Sequence, residues 1–161
     1  SQLDENTEMN WETVDALSVA KEALEMVGPI AESRNISLTI KGEPAPLNSV
    51  HKLLYDIIYN LCDNAVKYNK EGGFVKVNVK TAGDKVQIAV SDNGVGIAPA
   101  DQSRVFERFY RVDKSHSRES GGTGLGLSIV KHAVAYLKGS ISLESTLGKG
   151  TTITVSFPAE K

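Results

Sequence analysis

The stretch FVKVNVKTAGDKVQIAVSDNGVGI, residues 74–97, decides the fold. Apolar β-branched residues alternate with polar ones in two runs, and Gly83-Asp84 between the runs is typical of a hairpin turn. Two strands joined by such a short turn pair antiparallel. The pattern therefore argues against a doubly wound parallel sheet, in which a helix separates successive strands.

The rest of the chain supplies helices and further strands. Helical spacing of apolar residues, with Asn48 as a candidate N-cap, predicts helices over 15–34, 48–68, 101–110 and 124–137. Strand spacing predicts strands over 36–40, 74–79, 86–90, 140–144 and 151–157. We therefore predict an α+β fold, a two-layer sandwich of a mixed, mostly antiparallel sheet with helices on one face.

Bulk properties set wide bounds on function. The 161 residues and 40% apolar content suit one domain, which we place at 11–161 after a polar linker remnant at 1–10. A net charge of −2 gives no indication of a basic surface that binds nucleic acid. No stretch approaches the length of a membrane span. The single cysteine, Cys62, excludes an internal disulfide framework.

A row of polar residues borders the apolar stripe of the second predicted helix. Asn60, Asn64 and Lys67 stand at i, i+4 and i+7 and so share one side of the helix. An amide oxygen suits Mg²⁺, and a lysine one turn away can meet phosphate. The alternative is that the three residues form the solvated edge of an amphipathic helix.

A second block, Asp92-Asn-Gly94-Val-Gly96-Ile97, ends the hairpin. Glycines after a strand allow a ligand ring to approach the backbone closely while the carboxylate accepts a hydrogen bond, for example from adenine N6. Ile97 could pack on the ring. The alternative is an ordinary Asn-Gly turn.

A third block, residues 121–128, places four glycines ahead of the last predicted helix. Exposed N–H groups at a helix N-terminus bind phosphate. The block is neither a P-loop nor a dinucleotide fingerprint, and a flexible hinge is the alternative. Between the second and third blocks, Arg108 and Arg111 are interleaved with aromatic residues. They either reach phosphates or tether the polar loop 112–122.

Four motifs in this order resemble the catalytic and ATP-binding domain of bacterial sensor histidine kinases, over roughly residues 11–158. The fold of that family, the Bergerat fold, is shared with gyrase, the Hsp90 chaperones and mismatch-repair ATPases. The resemblance implies ATP and Mg²⁺ as ligands. It implies an ATP site formed by Asn60, Asn64, Lys67, Tyr68, Asp92, Gly94, Gly96, Ile97, Gly122, Thr123, Gly124, Leu125, Gly126, Leu127 and Thr152.

The resemblance also implies individual roles. Asn64 would be the Mg²⁺ ligand, supported by Asn60, while Lys67, Arg108 and Arg111 would contact phosphate as catalytic residues. Tyr68 would lie near the adenine, and Thr152 would assist there through water. Asn69 replaces the threonine or serine that is common after the tyrosine.

The activity implied is transfer of the ATP γ-phosphoryl group to a histidine of a separate dimerisation domain, and then to the receiver domain of a response regulator. Hydrolytic relatives carry a glutamate where Asn60 stands, and an amide is not a general base. His51, His116 and His132 lack the context of an acceptor. We therefore expect an excised domain, cytoplasmic, without nucleic acid as a partner, and dimeric only through the missing domain.

Two other functions stay open at this point. A serine kinase of the anti-sigma-factor type shares the fold and the motifs, and a non-catalytic module could use the fold for nucleotide sensing or partner docking. A hydrolytic ATPase of the gyrase or chaperone type is disfavoured by Asn60. The motifs do not identify the stimulus, the cognate regulator or a membrane anchor.

Overall fold

The computed structural model describes residues 10–107 and 126–160. Its elements in chain order are β1 (Glu12–Asp15), α1 (Ala16–Ser33), β2 (Ser37–Gly42), β3 (Pro46–Ser49), α2 (His51–Lys67), β4 (Phe74–Ala82), β5 (Lys85–Asp92), α3 (Pro99–Gln102), α4 (Gly126–Tyr136), β6 (Ser140–Thr146) and β7 (Gly150–Pro158). No helix within these two ranges is long and apolar enough to cross a bilayer.

Five strands form the main sheet in the order β2-β4-β5-β7-β6. β2 pairs parallel with β4, and the other three pairings are antiparallel. β4 and β5 form the hairpin that residues 74–97 predict, with Ala82 opposite Lys85 at its end. The predicted mixed, mostly antiparallel sheet with helices on one face is confirmed.

One face of the sheet and the inner sides of the helices make the core. The buried residues of β4, β5 and β7 alternate along each strand, as the strand period requires, and they are Val75, Val77, Val79, Val86, Ile88, Val90, Ile153, Val155 and Phe157. α2 lies across this face and contributes a fully buried stripe that includes Leu54, Ile57, Ile58 and Leu61. Each such side chain contributes about 1.5–3 kcal/mol by leaving water. This packing fixes α2 over the sheet.

Two predicted boundaries were wrong near the start of the chain. Pro46–Ser49 is a strand that pairs antiparallel with Glu12–Asp15, so the chain contains a small second sheet that periodicity does not reveal. Asn48 lies within that strand and is not the N-cap of α2, which begins at His51. The N-cap of α1 is Asp15, whose carboxylate accepts hydrogen bonds from Leu17 N at 3.3 Å and Ala45 N at 2.6 Å.

The predicted helix over 101–110 was also wrong in its bounds. The structure has a single turn, Pro99–Gln102, which starts at a proline in the first helical position. Residues 108–110 lie outside the described ranges, as does the loop expected over 112–122. α4 is described from Gly126 and ends at Tyr136, close to the predicted end.

Candidate functional site

The polar row on α2 lies at the margin of the core. Asn60, Asn64 and Lys67 are all half-buried, which sets them apart from a fully solvated helix edge. Asn60 Nδ2 donates to Asp56 O at 2.7 Å, one turn earlier, and this bond leaves Asn60 Oδ1 for another partner. Lys67 Nζ lies 3.0 Å from Asp63 Oδ2, so the ammonium already has one anionic neighbour.

The start of α4 faces the two asparagines. A Cβ atom placed on Gly126 would lie 3.6 Å from Asn60 Oδ1 and 3.7 Å from Asn64 Oδ1. A larger residue than glycine would therefore fill the space between the two helices. The structure thus brings the two asparagines of the first block close to Gly126 of the third block.

Asp92 ends β5 at the other end of this margin. Its Oδ1 accepts a hydrogen bond from Gly94 N at 2.8 Å. Burial raises the pKa of the Asp92 carboxyl above its ordinary value, and hydrogen bonds from the backbone of Gly94 and of Thr151 oppose that rise. A carboxylate that is partly withdrawn from water and incompletely compensated is suited to bind a hydrogen-bond donor of a ligand.

The loop after Asp92 is held between the end of α2 and the turn between β6 and β7. Val95 N donates to Tyr68 O at 3.2 Å, and Val95 O accepts from Gly148 N at 2.7 Å. A Cβ on Gly94 would lie 2.5 Å from Tyr68 O, so only glycine permits this approach. Gly96 has φ +73° and faces Thr146 O, so it requires glycine for both conformation and space.

Ile97 is fixed by two side chains that the sequence motifs do not include. Ile97 N donates to Ser145 Oγ at 2.8 Å, and Ile97 O accepts from Gln102 Nε2 at 2.8 Å. Ser145 Oγ in turn donates to Gly150 O at 3.0 Å. Serine and glutamine outside a motif carry no signal in one sequence, so these supporting residues could not be found by pattern alone.

Thr152 does not lie with the other site residues. Its hydroxyl is 2.8 Å from Ser91 Oγ, on the face of the sheet that points away from the helices. Thr151 pairs with Asp92 in the ladder and shares its face, because strand residues alternate between faces. The structure therefore places Thr151 beside Asp92 and Thr152 on the opposite face of the sheet.

The remaining predicted residues divide into placed and undescribed ones. Leu127, in the first turn of α4, is half-buried and packs against the core. Tyr68 follows the end of α2 and is 41% exposed. Six predicted residues lie outside the described ranges, namely Arg108, Arg111, Gly122, Thr123, Gly124 and Leu125.

The two histidines in the described ranges lie on helices and contact nearby residues there. His51 Nε2 lies 3.2 Å from Glu22 Oε1, which links α2 to α1. His132 Nδ1 lies 3.1 Å from Ser128 O within α4. Neither lies among the site residues, and His116 is outside the described ranges.

The oxygens that this site could present to a divalent cation are those of side-chain amides. In the described ranges no three acidic, histidine or cysteine side chains converge into a protein-only cage. Asn64, beside Asn60 and the start of α4, presents the neutral hard oxygen that Mg²⁺ accepts when phosphates and water complete its coordination. The residues therefore fit a cation that arrives with an anionic ligand.

Comparison with known proteins agrees with this geometry. Residues 49–161 match the family model described as histidine kinase-, DNA gyrase B-, and HSP90-like ATPase. The chain is 44% identical over 148 residues to the sensor-like histidine kinase SenX3 of Mycolicibacterium smegmatis, covering 91% of this chain and 38% of that relative. The chain thus spans well under half the length of the curated relatives it matches.

Solved structures show the same architecture. The mycobacterial sensor histidine kinase MprB superposes with a TM-score of 0.82 at 28% identity, over 94% of this chain and 99% of that one. A full-length ShkA structure in complex with AMPPNP gives a TM-score of 0.83 at 27% identity, over 98% of this chain and 33% of that one.

Proposed function

This chain belongs to the histidine kinase-, DNA gyrase B-, and HSP90-like ATPase family as a histidine kinase ATPase domain, and we propose that it transfers the ATP γ-phosphoryl group to a histidine of a separate dimerisation domain. The observation that carries the proposal is the α2 margin. There Asn60, an amide that cannot act as a general base, faces the start of α4 beside Asn64. Resemblance places a glutamate at that position in hydrolytic relatives.

The adenine end of the proposed site is Asp92. Its carboxylate would accept a hydrogen bond from the adenine amino group, and the close packing of Gly94 against Tyr68 O would hold the loop after Asp92 in place. The exposed ring of Tyr68 and the side chain of Ile97 would contact the base. The ShkA structure with AMPPNP, a protein of the same fold, supports a nucleotide at this site.

The phosphate end is the margin between α2 and α4. Lys67 has three N–H donors, and its pairing with Asp63 uses one, so two remain for phosphate oxygens. Asn64 would hold Mg²⁺, with Asn60 beside it. When bound, Mg²⁺ neutralises charge on the phosphates. Arg108 and Arg111 remain proposed phosphate contacts.

The chemistry that we propose is an in-line displacement. An imidazole nitrogen of the acceptor domain attacks the γ-phosphorus, a P–N bond forms, and the bond to the ADP oxygen breaks. Catalysis by this chain would consist of positioning and charge stabilisation, because phosphoryl transfer needs little covalent chemistry from the protein.

Several features of the parent protein belong to the same proposal. The receiver domain of a response regulator would take the phosphoryl group next. Dimerisation would occur through the acceptor domain, and the site would face the cytoplasm, where ATP is supplied. The sensor histidine kinases among the relatives support this arrangement.

The test is transfer in trans. The chain is mixed with radiolabelled ATP, Mg²⁺ and the dimerisation domain of the parent kinase, and a dimerisation domain with its histidine changed to glutamine is the control. Acid-labile label on the intact acceptor, absent from the control, supports the proposal. Acid-stable label on an anti-sigma-factor partner would instead indicate the serine kinase. Binding of ATP without transfer to either acceptor would indicate a nucleotide-sensing module.

A further inference from the structure

Asn69, the second residue after α2, is buried although it is polar. Only 4% of its surface is exposed. Its Nδ2 donates to Phe74 O at 2.9 Å, and its Oδ1 accepts from Lys70 N at 2.8 Å. A buried amide is costly unless it is bonded, so these two hydrogen bonds fix the side chain in one orientation.

The backbone of Asn69 is held from the side of α1. Arg34 Nη2 donates to Asn69 O at 2.8 Å. Arg34 Nη1 donates to Val66 O at 2.6 Å and to Lys67 O at 2.7 Å, two carbonyls of the last turn of α2. The guanidinium therefore caps the C-terminal turn that carries Lys67 and Tyr68, and its positive charge complements the helix dipole.

Asn93, in the loop after Asp92, also bonds the backbone of Phe74. Asn93 Oδ1 accepts from Phe74 N at 2.7 Å, so both polar groups of the Phe74 backbone are bonded by asparagine side chains. Gly73 fits between the two amides, since a Cβ there would lie 2.7 Å from Asn93 Oδ1 and closer still to Asn69 Oδ1. The first residue of β4 thus bridges the end of α2 and the end of β5.

The Asp92 loop also touches Asn69 directly. A Cβ on Gly94 would lie 2.8 Å from Asn69 Cα, and it would lie 3.1 Å from Asp92 Oδ1. The Asp92 carboxylate is therefore separated from the end of α2 by little more than a glycine. Gly94 thus packs between the Asn69 backbone and the Asp92 carboxylate, which links the end of α2 that carries Lys67 to the Asp92 end of the site.

We propose that Asn69 is a positioning residue for nucleotide selection, which sets the distance between the Asp92 end and the Lys67 end of the site. This inference rests on the proposed function, in which Asp92 accepts a hydrogen bond from the adenine amino group. A hydrogen bond tolerates only a few tenths of an ångström. Loss of the Asn69 bonds therefore weakens recognition of the amino group more than it weakens binding of the triphosphate.

The experiment is calorimetric titration with ATP and with inosine triphosphate, which carries an oxygen in place of the amino group, both with Mg²⁺. For Asn69→Ala we expect the ratio of the two affinities to fall about tenfold, which is the order of the loss when a hydrogen bond to a charged acceptor is broken. Asn69→Thr, which keeps a hydroxyl donor and acceptor, should restore much of the ratio. Asn78→Ala, the same change at an exposed position of β4, is the matched control and should leave the ratio unchanged.

The outcomes separate this inference from the proposed function. Equal losses for both nucleotides in folded Asn69→Ala would overturn the positioning role and leave a structural one. If Asn69→Ala does not fold, Asn93→Ala decides by the same ratio, and a wild-type ratio there would also overturn it. If the wild-type chain binds neither nucleotide, or does not distinguish them, the proposed adenine site fails before any variant is considered.

Discussion

Replacement of Asp92 by alanine tests the adenine end of the site most directly. The carboxylate lies partly buried at the end of β5, with one oxygen bonded to Gly94 N at 2.8 Å. A hydrogen bond to a charged group contributes about 1.5–3 kcal/mol. Since about 1.4 kcal/mol corresponds to a tenfold change in affinity, Asp92→Ala should weaken ATP binding by roughly 10- to 150-fold.

The assay is calorimetric titration with ATP and Mg²⁺, repeated on Asp84→Ala as the control. Asp84 is an exposed aspartate in the turn between β4 and β5, so its loss removes the same charge from the chain without touching the site. Binding by Asp92→Ala within about threefold of wild type, with an unchanged circular dichroism spectrum, would refute the reasoning, because that loss is below 1 kcal/mol.

The raised pKa of the Asp92 carboxyl also predicts how this residue affects the stability of the folded chain. Because the folded chain holds the Asp92 proton more tightly than the unfolded chain, this group's contribution to stability is greatest at acidic pH. It declines as the pH rises from the ordinary carboxyl pKa, near 3.8, through the raised folded value. At neutral pH, Asp92→Asn should therefore raise the thermal midpoint slightly while it weakens ATP binding. A lower midpoint in calorimetric scans would contradict this sign.

Three further predictions concern the surroundings of the site. Gly96→Ala should lower the free energy of unfolding, measured by urea titration, by more than about 2 kcal/mol, because Gly96 has a positive φ and an added Cβ would collide with Thr146 O. Gly148→Ala is the control: Gly148 has φ +83° but open space around it, so the change should cost only about 1 kcal/mol. Arg34→Met should cost about 2–3 kcal/mol in the same titrations, since three carbonyls lose a charged donor, and an unchanged midpoint would count against the cap. Burial raises the pKa of the Cys62 thiol to about 12, so thiol reagents should label Cys62 only after denaturation, and rapid labelling of the native chain would contradict its burial.

Much of the fold could be predicted because its main elements have strong periodicity. The β4–β5 hairpin and the apolar stripe of α2 each repeat their pattern several times, so noise at single residues does not matter. β1 and β3 are four residues each and pair across α1, with Pro46 and Asn48 inside β3. Nothing local distinguishes such strands from a turn, because their partner is distant in sequence.

The candidate site residues, among them Asn64, Asp92 and Gly126, could be proposed from the order of the motifs without knowledge of side-chain contacts. The residues that support them, such as Ser145 and Gln102, could not. Thr151 and Thr152 are adjacent threonines, and only the pairing register with β5 shows which one shares a face with Asp92. The role of Asn69 depends on contacts with three other segments, which no local pattern can reveal.

The order of strands has a consequence for how the chain folds. β7 follows β6 in sequence but lies between β5 and β6 in the sheet, so Val86, Ile88 and Val90 gain their second neighbour only after residues 150–158 have been synthesised. During synthesis β5 is therefore an unpaired edge strand until β7 has been made, and an open apolar edge is a template for aggregation. Bringing β5 and β7 together also carries an entropic cost because they are far apart in sequence, and such long-range pairing slows folding. We therefore expect chains truncated before Gly150 to aggregate, although they contain most of the proposed nucleotide ligands.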